Sequence, residues 1–317
     1  MIDVARAANV TPQTVSRAIR NAPEVSEETR ERVLRIAREL NYVKNNTASS
    51  LRGGNGKLIG VVYDNLMNVY YSITVDYLQR ELRRRGYSLL AISLPAFKFG
   101  RETYEFALSH NVDGIISFLE PDGEIASLVK DYGVPVLLFG RRTDESNIDC
   151  IYTDDEAGGR CAAERLIAVG CKKFCYLTES LNIACAFDRY EGFTKELERQ
   201  GFSAPVVVDA EPSTLEARLR ELFSAPDAPD GVFCFNDMLA FTVQYYLAKN
   251  KIPPVKVVGY DNIQQEIHIP NRLTTIGTDK LRMAERAAEI IVARVEEGGE
   301  GNVSEKQGVF LVEGETA

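Results

Sequence analysis

Four polar residues, Gln13, Ser16, Arg17 and Arg20, recur at steps of three, four and seven, the spacings that return to one side of an α-helix. A glutamine can pair bidentately with adenine and an arginine with guanine in the major groove. The hydroxyls of Thr11, Thr14 and Ser16 can bond phosphates and hold register. The same pattern also fits a small helical hairpin with a solvated face. A second set lies along the rest of the chain: Asn68, Tyr70, Tyr71, Phe187, Arg189, Asn236 and Asp261. Arginine offers a rigid fork of donors for vicinal hydroxyls or a carboxylate. An aspartate can accept two hydroxyl bonds, and aromatic rings offer a face to a sugar or a base. One arginine, one aspartate, one asparagine and a few aromatics suit a neutral polyhydroxylated ligand better than a highly anionic one. Each also has a plainer reading: a surface salt bridge for Arg189, caps for Asn236 and Asp261, packing for the tyrosines.

The first set needs a helix to present it. Val4, Ala5 and Ala8 form the inward stripe of a first short helix, Asn9-Val10 turns the chain, and Thr11 with Pro12 opens a second helix as N-cap and first helical residue. Val15, Ala18 and Ile19 give that helix its apolar face. A third helix begins at the cap Ser26, with Glu27 and Glu28 in its first turn and Val33, Ala37 and Leu40 facing inward. Arg30, Arg32, Arg35 and Arg38 read mostly as its solvated face.

The wording of this stretch, D-V-A-x-x-A-x-V-[ST]-x-x-T-V-S-R over Asp3 to Arg17, closely resembles the helix-turn-helix of the lactose-repressor/galactose-repressor (LacI/GalR) family. The following segment is similar to the family's L-x-Y-x-P-N-x-x-A-x-x-L, with Asn45, Ala48 and Leu51 matching and Lys44 in place of the proline. The resemblance implies a hinge helix that orders on DNA and wedges Leu51 into the minor groove. A plain flexible tether is the alternative. The DNA-contacting residues it implies are Thr11, Pro12, Gln13, Thr14, Ser16, Arg17, Asn21, Asn45, Ala48 and Leu51.

Composition bears on the same point. The 317 residues carry a net charge of −9, unhelpful to a nucleic-acid binder until it is divided. Residues 1–57 hold ten Lys/Arg against six Asp/Glu, a net of +4, and the remainder holds 27 against 40, a net of −13. A basic head on an acidic body fits local DNA contact, and a head of only +4 suggests that two copies are needed. Cys150, Cys161, Cys171, Cys175, Cys185 and Cys234 match no zinc spacing and read as reduced and mostly buried. No apolar run approaches a membrane span and no secretion segment opens the chain, so a cytoplasmic protein without membrane contact is expected.

From Leu58 onward, apolar runs alternate with helical stretches. Strands are expected at 58–63, 88–94, 114–118, 134–139, 174–177, 206–208, 232–235, 255–260 and 308–312. Helices are expected at 72–85, 101–110, 123–132, 155–169, 187–200, 213–223, 236–249 and 280–297. The alternation implies α/β architecture with two doubly wound parallel subdomains, and the resemblance makes them of the periplasmic-binding-protein-like type I kind. Residues 273–277 and 280–297 resemble the family's crossover segments. The expected division is a DNA-binding domain at 1–44, a hinge and linker at 45–57, and an effector-binding and dimerisation domain at 58–317. Within the last, the N-subdomain takes about 58–154 plus 280–298, and the C-subdomain about 155–279 plus 299–317. No leucine heptads follow, so no tetramerising coiled coil is expected.

Ligands of open α/β sheets collect at the carboxyl ends of strands. Asn65, Asn68, Tyr70 and Tyr71 fall there, resembling the family's N-P-[FY]-[FY] with Val69 for the proline. Phe187 to Phe193 holds the family's R-x-x-G-F; the resemblance assigns Arg189 and Asn236 to the effector, leaves Asp237 as cap or second contact, and gives Asp154 a structural role. There is no G-x-S-x-G elbow, glycine-rich phosphate loop, H-E-x-x-H or Ser-His-Asp set. His110 and His268 read as structural or surface. No enzymatic activity, cofactor or metal is therefore expected. The expected protein is a homodimeric, ligand-responsive repressor of carbohydrate-utilisation genes, released from pseudo-palindromic operator DNA by a small sugar. A stand-alone sugar-binding protein, or a regulator answering a purine or other non-sugar metabolite, is the alternative.

Overall fold

A computed structural model describes residues 1–19, 22–40, 56–64, 67–93, 98–209, 211, 213–267, 272–299 and 301–317. The expectations attached to Arg20, Asn21, Lys44, Asn45, Ala48, Leu51, Asn65 and His268 lie outside the described residues. The chain forms two units, Met1–Gly56 and Lys57–Ala317.

The first unit contains helices α1 (Ile2–Ala7), α2 (Pro12–Ile19) and α3 (Glu27–Glu39). Val4, Ala5, Ala8, Val15, Ala18, Val25, Val33 and Ala37 are buried together, with Ile19 and Ile36 packed against them. Asn9 turns the chain at φ 52°. Thr11 caps α2 by accepting from the Thr14 amide at 3.1 Å, and Ser26 caps α3 by accepting from the Thr29 amide at 3.4 Å. Two expectations change. Leu40 is the C-cap residue and 48% exposed, so Ile36 takes its place against the core. Arg30 is not a solvated residue: its Nη2 donates to the carbonyls of Ala22 (2.9 Å) and Val25 (3.0 Å), pinning the loop before α3.

The second unit is a pair of α/β lobes. The first contains β1 (Leu58–Tyr63), α4 (Val69–Arg84), β2 (Ser88–Ser93), β3 (Lys98–Phe99), α5 (Arg101–Ser109), β4 (Gly114–Ser117), β5 (Glu120–Pro121), α6 (Ile125–Tyr132), β6 (Val136–Phe139) and β7 (Asp149–Thr153). The second contains α7 (Asp155–Ala168), β8 (Phe174–Thr178), α8 (Ala184–Arg199), β9 (Val206–Asp209), α9 (Leu215–Ser224), β10 (Gly231–Cys234), α10 (Asp237–Lys249), β11 (Lys256–Asp261) and β12 (Thr274–Thr278). The chain returns to the first lobe with α11 (Lys280–Glu297) and β13 (Ser304–Gln307), then ends in the second with β14 (Val309–Val312). The sheet orders are β2-β1-β4-β6-β7-β13 and β9-β8-β10-β11-β12-β14, the same winding twice.

Four details differ from the sequence reading, the first being the short parallel pair β3–β5, with only two residues in each strand. The sequence predicts no strand at β7, because D-C-I-Y-T is short and follows a polar loop. Ser304–Gln307, expected in the C-subdomain, pairs in parallel with Cys150–Thr153 of the first sheet; its polar S-E-K-Q composition carries no strand signal, and the final crossing falls at Gly308. β14 runs antiparallel to β12, so the second sheet is parallel except at that edge.

Two glycines govern how α7 meets α8. A Cβ on Gly159 would lie 2.0 Å from the Arg189 carbonyl oxygen, and one on Gly192 would lie 1.9 Å from that of Glu156. The helices therefore touch backbone to backbone, which only a residue without a side chain permits. Gly192→Ala should force them apart and cost about 1–3 kcal/mol, as overpacking of a close contact does. Urea unfolding checks this; a variant as stable as the parent sinks the account.

Candidate DNA-reading head and ligand cleft

In the head, burial of Val15 and Ala18 turns the opposite side of α2 outward. Thr11, Pro12, Gln13 and Arg17 are exposed, and Thr14 and Ser16 are half-buried. Gln13 and Arg17, four residues apart, share this polar face, as their spacing requires. Thr11 has a structural duty as well, since its hydroxyl caps the helix and lies 2.9 Å from the Thr14 hydroxyl.

In the body, both sheets switch winding direction between their first and third strands, and the carboxyl ends of these strands flank the cleft. On the first-lobe side, Asn68 caps α4 by accepting from the Tyr70 amide at 3.1 Å. Tyr71 is buried edge-on to Phe118 at 5.2 Å, and Tyr70 is half-buried 6.0 Å from Tyr71. Burial pushes both phenols well above their ordinary pKa.

On the second-lobe side, Arg189 is no surface residue. Its Nε donates to Asp155 Oδ1 at 2.8 Å and its Nη1 to the Phe235 carbonyl at 2.5 Å, both buried. The guanidinium lies over the Tyr260 ring at 3.4 Å and the Phe235 ring at 4.7 Å. Burial disfavours its charge most strongly, but Asp155, Tyr260, Cys185 and Asp261 together outweigh this and hold the guanidinium pKa well above its ordinary value. Phe187, two residues earlier on α8, is 45% exposed.

Asn236 and Asp237 divide their duties in a way the sequence reading left open. Asn236 is the cap of α10, accepting from the Leu239 amide at 2.9 Å, while its Nδ2 reaches Glu179 at 3.4 Å. Asp237 accepts from the Thr275 hydroxyl at 2.5 Å and the Ile263 amide at 2.8 Å, bracing the turn after β11. That turn holds two successive left-handed residues, Asp261 (φ 102°) and Asn262 (φ 49°). Burial raises the Asp261 carboxyl to about 7, although Arg189 and Lys280 pull it down. Asp154 caps α7 and pairs with Lys306 at 3.0 Å, the structural role expected of it.

Several cleft residues escaped the sequence reading. Arg141 pairs with Glu120 at 3.2 Å and donates to Cys185 Sγ at 3.4 Å in the other lobe. Glu120 also accepts from the Ala184 amide at the start of α8. Arg142 and Asp188 form a two-bond pair across the lobes at 3.0 and 3.1 Å. The signal was present: F-G-R-R sets two arginines just past a strand's carboxyl end. These bonds leave about 10 Å³ among Arg141, Asp155, Cys185 and Asp188. A cavity of about 630 Å³ opens instead at the other end of the first-lobe strands, beside Lys130, Asn147, Asp149 and Arg294. That hollow shares no lining residue with the switch-point set. Among the described residues no group of three His, Cys, Asp or Glu stands ready for a metal ion, and all six cysteines are free. No helix among them is long and apolar enough to cross a membrane.

A helix-turn-helix head joined to a two-lobed α/β body defines a ligand-responsive, DNA-binding transcriptional regulator. Residues 1–45 match the family model described as bacterial regulatory proteins, lacI family, and residues 56–308 match that of periplasmic binding proteins and sugar binding domain of LacI family. The chain belongs to the LacI family. It is 31% identical to the sucrose operon repressor of Lactococcus lactis subsp. lactis, covering 93% of this chain and 92% of that one. It is 27% identical to the transcriptional repressor PurR of Vibrio atlanticus, covering 93% and 91%. A solved lac repressor dimer, bound to operator and the anti-inducer ONPF, superposes with a TM-score of 0.83 at 25% identity, covering 99% and 97%.

The buried Asp237 gives the fold a pH dependence. Burial, reinforced by Asp261, raises its carboxyl from 3.8 to about 8. Between those values the folded chain holds a proton that the unfolded chain has released. Its contribution therefore falls as pH rises through the window. Asp237→Asn should flatten the loss of melting temperature between about pH 5 and pH 8, measured by calorimetry; a slope parallel to the parent's removes Asp237 as the cause.

Proposed function

We propose that this regulator represses carbohydrate-utilisation genes and leaves a pseudo-palindromic operator when a small neutral sugar or sugar derivative enters the cleft. As a homodimer it presents two α2 helices to half-sites about one duplex turn apart. Gln13 and Arg17 read base edges, and Thr11, Pro12, Thr14 and Ser16 support them at the backbone. The effector meets Asn68, Tyr70, Tyr71, Phe187, Arg189, Asn236 and Asp261. Arg189 reaches it with Nη2, since Nε and Nη1 bind Asp155 and Phe235. The chain acts by binding and not by catalysis.

The observation that carries the sugar reading is the Asp261 carboxyl beside the stacked Arg189 guanidinium. The pair supplies acceptors and donors for vicinal hydroxyls, while Asp155, Glu179 and Glu120 offset the cleft's arginines and disfavour an anionic ligand. A purine effector is the second reading, favoured by the likeness to PurR and by the exposed Phe187 ring. Effector binding biases whichever lobe arrangement it prefers, and the operator-bound population changes by that differential affinity.

A thermal-shift panel of mono- and disaccharides against purine bases decides between the two: a melt raised by purines alone ends the sugar reading. Arg17→Ala should weaken specific operator binding by about 1–3 kcal/mol and relax base choice, leaving effector binding intact. Asp261→Asn should weaken the bound sugar about ten- to hundredfold, the weight of a hydrogen bond to a charged group, with operator affinity unchanged. One variant abolishing both activities while folded would refute this division of labour.

A further inference from the structure

Lys280 stands where local rules disfavour a lysine. It is the first residue of α11, where the positive end of the helix dipole repels a cation, and its side chain is only 1% exposed, where an ammonium needs partners to offset desolvation. Its neighbour Asp279 already caps the helix, accepting from the Arg282 amide at 3.0 Å, so capping does not explain it.

The tertiary surroundings do. Lys280 Nζ donates to the Asp261 carbonyl at 2.7 Å and the Asn262 carbonyl at 3.0 Å, and lies 3.4 Å from Glu266 Oε1. The first two are the successive left-handed residues of the turn after β11, a conformation that costs energy unless its surroundings hold it. Asp237 grips the next residue from within the second lobe, through the Ile263 amide. Lys280 grips from a helix that packs in the first lobe. Glu266 extends this contact, because its Oε1 also accepts from the Tyr77 hydroxyl of α4 at 3.4 Å.

We propose that Lys280 is a positioning residue of the ligand cleft: its ammonium clamps the strained Asp261–Asn262 turn, aims the Asp261 side chain, and ties that turn to α11 and α4 of the opposite lobe. The role of Asp261 toward a ligand rests on the function proposed above; the clamp itself does not. A ligand that pulls on Asp261 thereby pulls on the first lobe through one buried nitrogen. The charged and titratable groups felt by Asp261 are Arg189, Lys280, Asp155 and Arg141, with Asp237 and Tyr70 feeling it in turn.

The test needs no ligand. The Asp261 carboxyl carbon is followed by NMR through a pH titration of the full-length chain, with Asp261→Asn identifying the resonance. The parent should titrate at about 7. Lys280→Met should move the midpoint up by about one pH unit or more, since a close cation is removed, and Lys280→Arg should keep it near the parent's. If Lys280→Met does not fold, Lys280→Gln takes its place in the comparison. A lysine that only fills space would leave the midpoint unmoved in the neutral variant, and a folded neutral variant titrating with the parent overturns the clamp. Because no sugar is present, failure of the sugar reading would leave this outcome unaffected.

Discussion

The body depends on one buried charge pair, Arg189 with Asp155. The guanidinium lies against the Tyr260 and Phe235 rings, and its bonds run to the first turn of α7 and to the carbonyl just past β10. Four elements of the second lobe are thus fixed relative to one another at the end of the sheet that borders the cleft. Such a pair is weak evidence for stability, because desolvating two charges consumes most of what their attraction returns. Its consequence is geometric: removing either partner leaves the other buried and alone, so both must remain in place. The glycines at 158, 159 and 192 serve this arrangement, letting α7 and α8 close until Asp155 reaches Arg189 and Tyr260 covers it.

The cleft is consequently built of polar groups that already have partners within the protein. Asn68 and Asn236 cap helices. Asp237 and Lys280 hold a turn from opposite lobes. Arg141, Glu120, Arg142 and Asp188 bridge the lobes. A ligand of the kind proposed, entering between these groups, would compete with bonds that join the two lobes. This is the physical content of coupling between a binding site and a conformation, since a ligand shifts an equilibrium only by its differential interaction with the two states.

Much of this was legible beforehand, and the reasons are local. The head follows from Val4, Ala8, Val15 and Val33 recurring at helical spacing, with Thr11 and Ser26 punctuating the starts. The strand–helix alternation from Leu58 onward follows from continuous apolar runs, which buried parallel strands require. What stayed hidden lacked a periodic signature. Ser304–Gln307 is a polar edge strand whose place is set by its partner Cys150–Thr153. Arg30 sits on a helix face that its spacing marks as solvated, yet it folds back to two loop carbonyls. Leu40 has a core residue's chemistry but stands at a helix end, beyond the reach of the core.

By itself, then, the order of residues determined the helices and the apolar strands, where the polar face of α2 lies, and which residues stand near the carboxyl ends of those strands. Those outcomes depend on hydrophobic period, caps and turn residues, all set within a few positions of the chain. Only the tertiary structure decided that Arg189 is buried and paired, that Asn236 and not Asp237 is the cap, and that Lys280 leaves its helix's dipole unfavoured to hold a turn in the facing lobe. The first and last depend on groups 18 to 46 residues apart meeting in a dry interior. Asp237 leaves the cap to Asn236 because Ile263 and Thr275, 26 and 38 residues away, engage its carboxyl group. In that interior burial and pairing, which no local window contains, set the free energy of each charge.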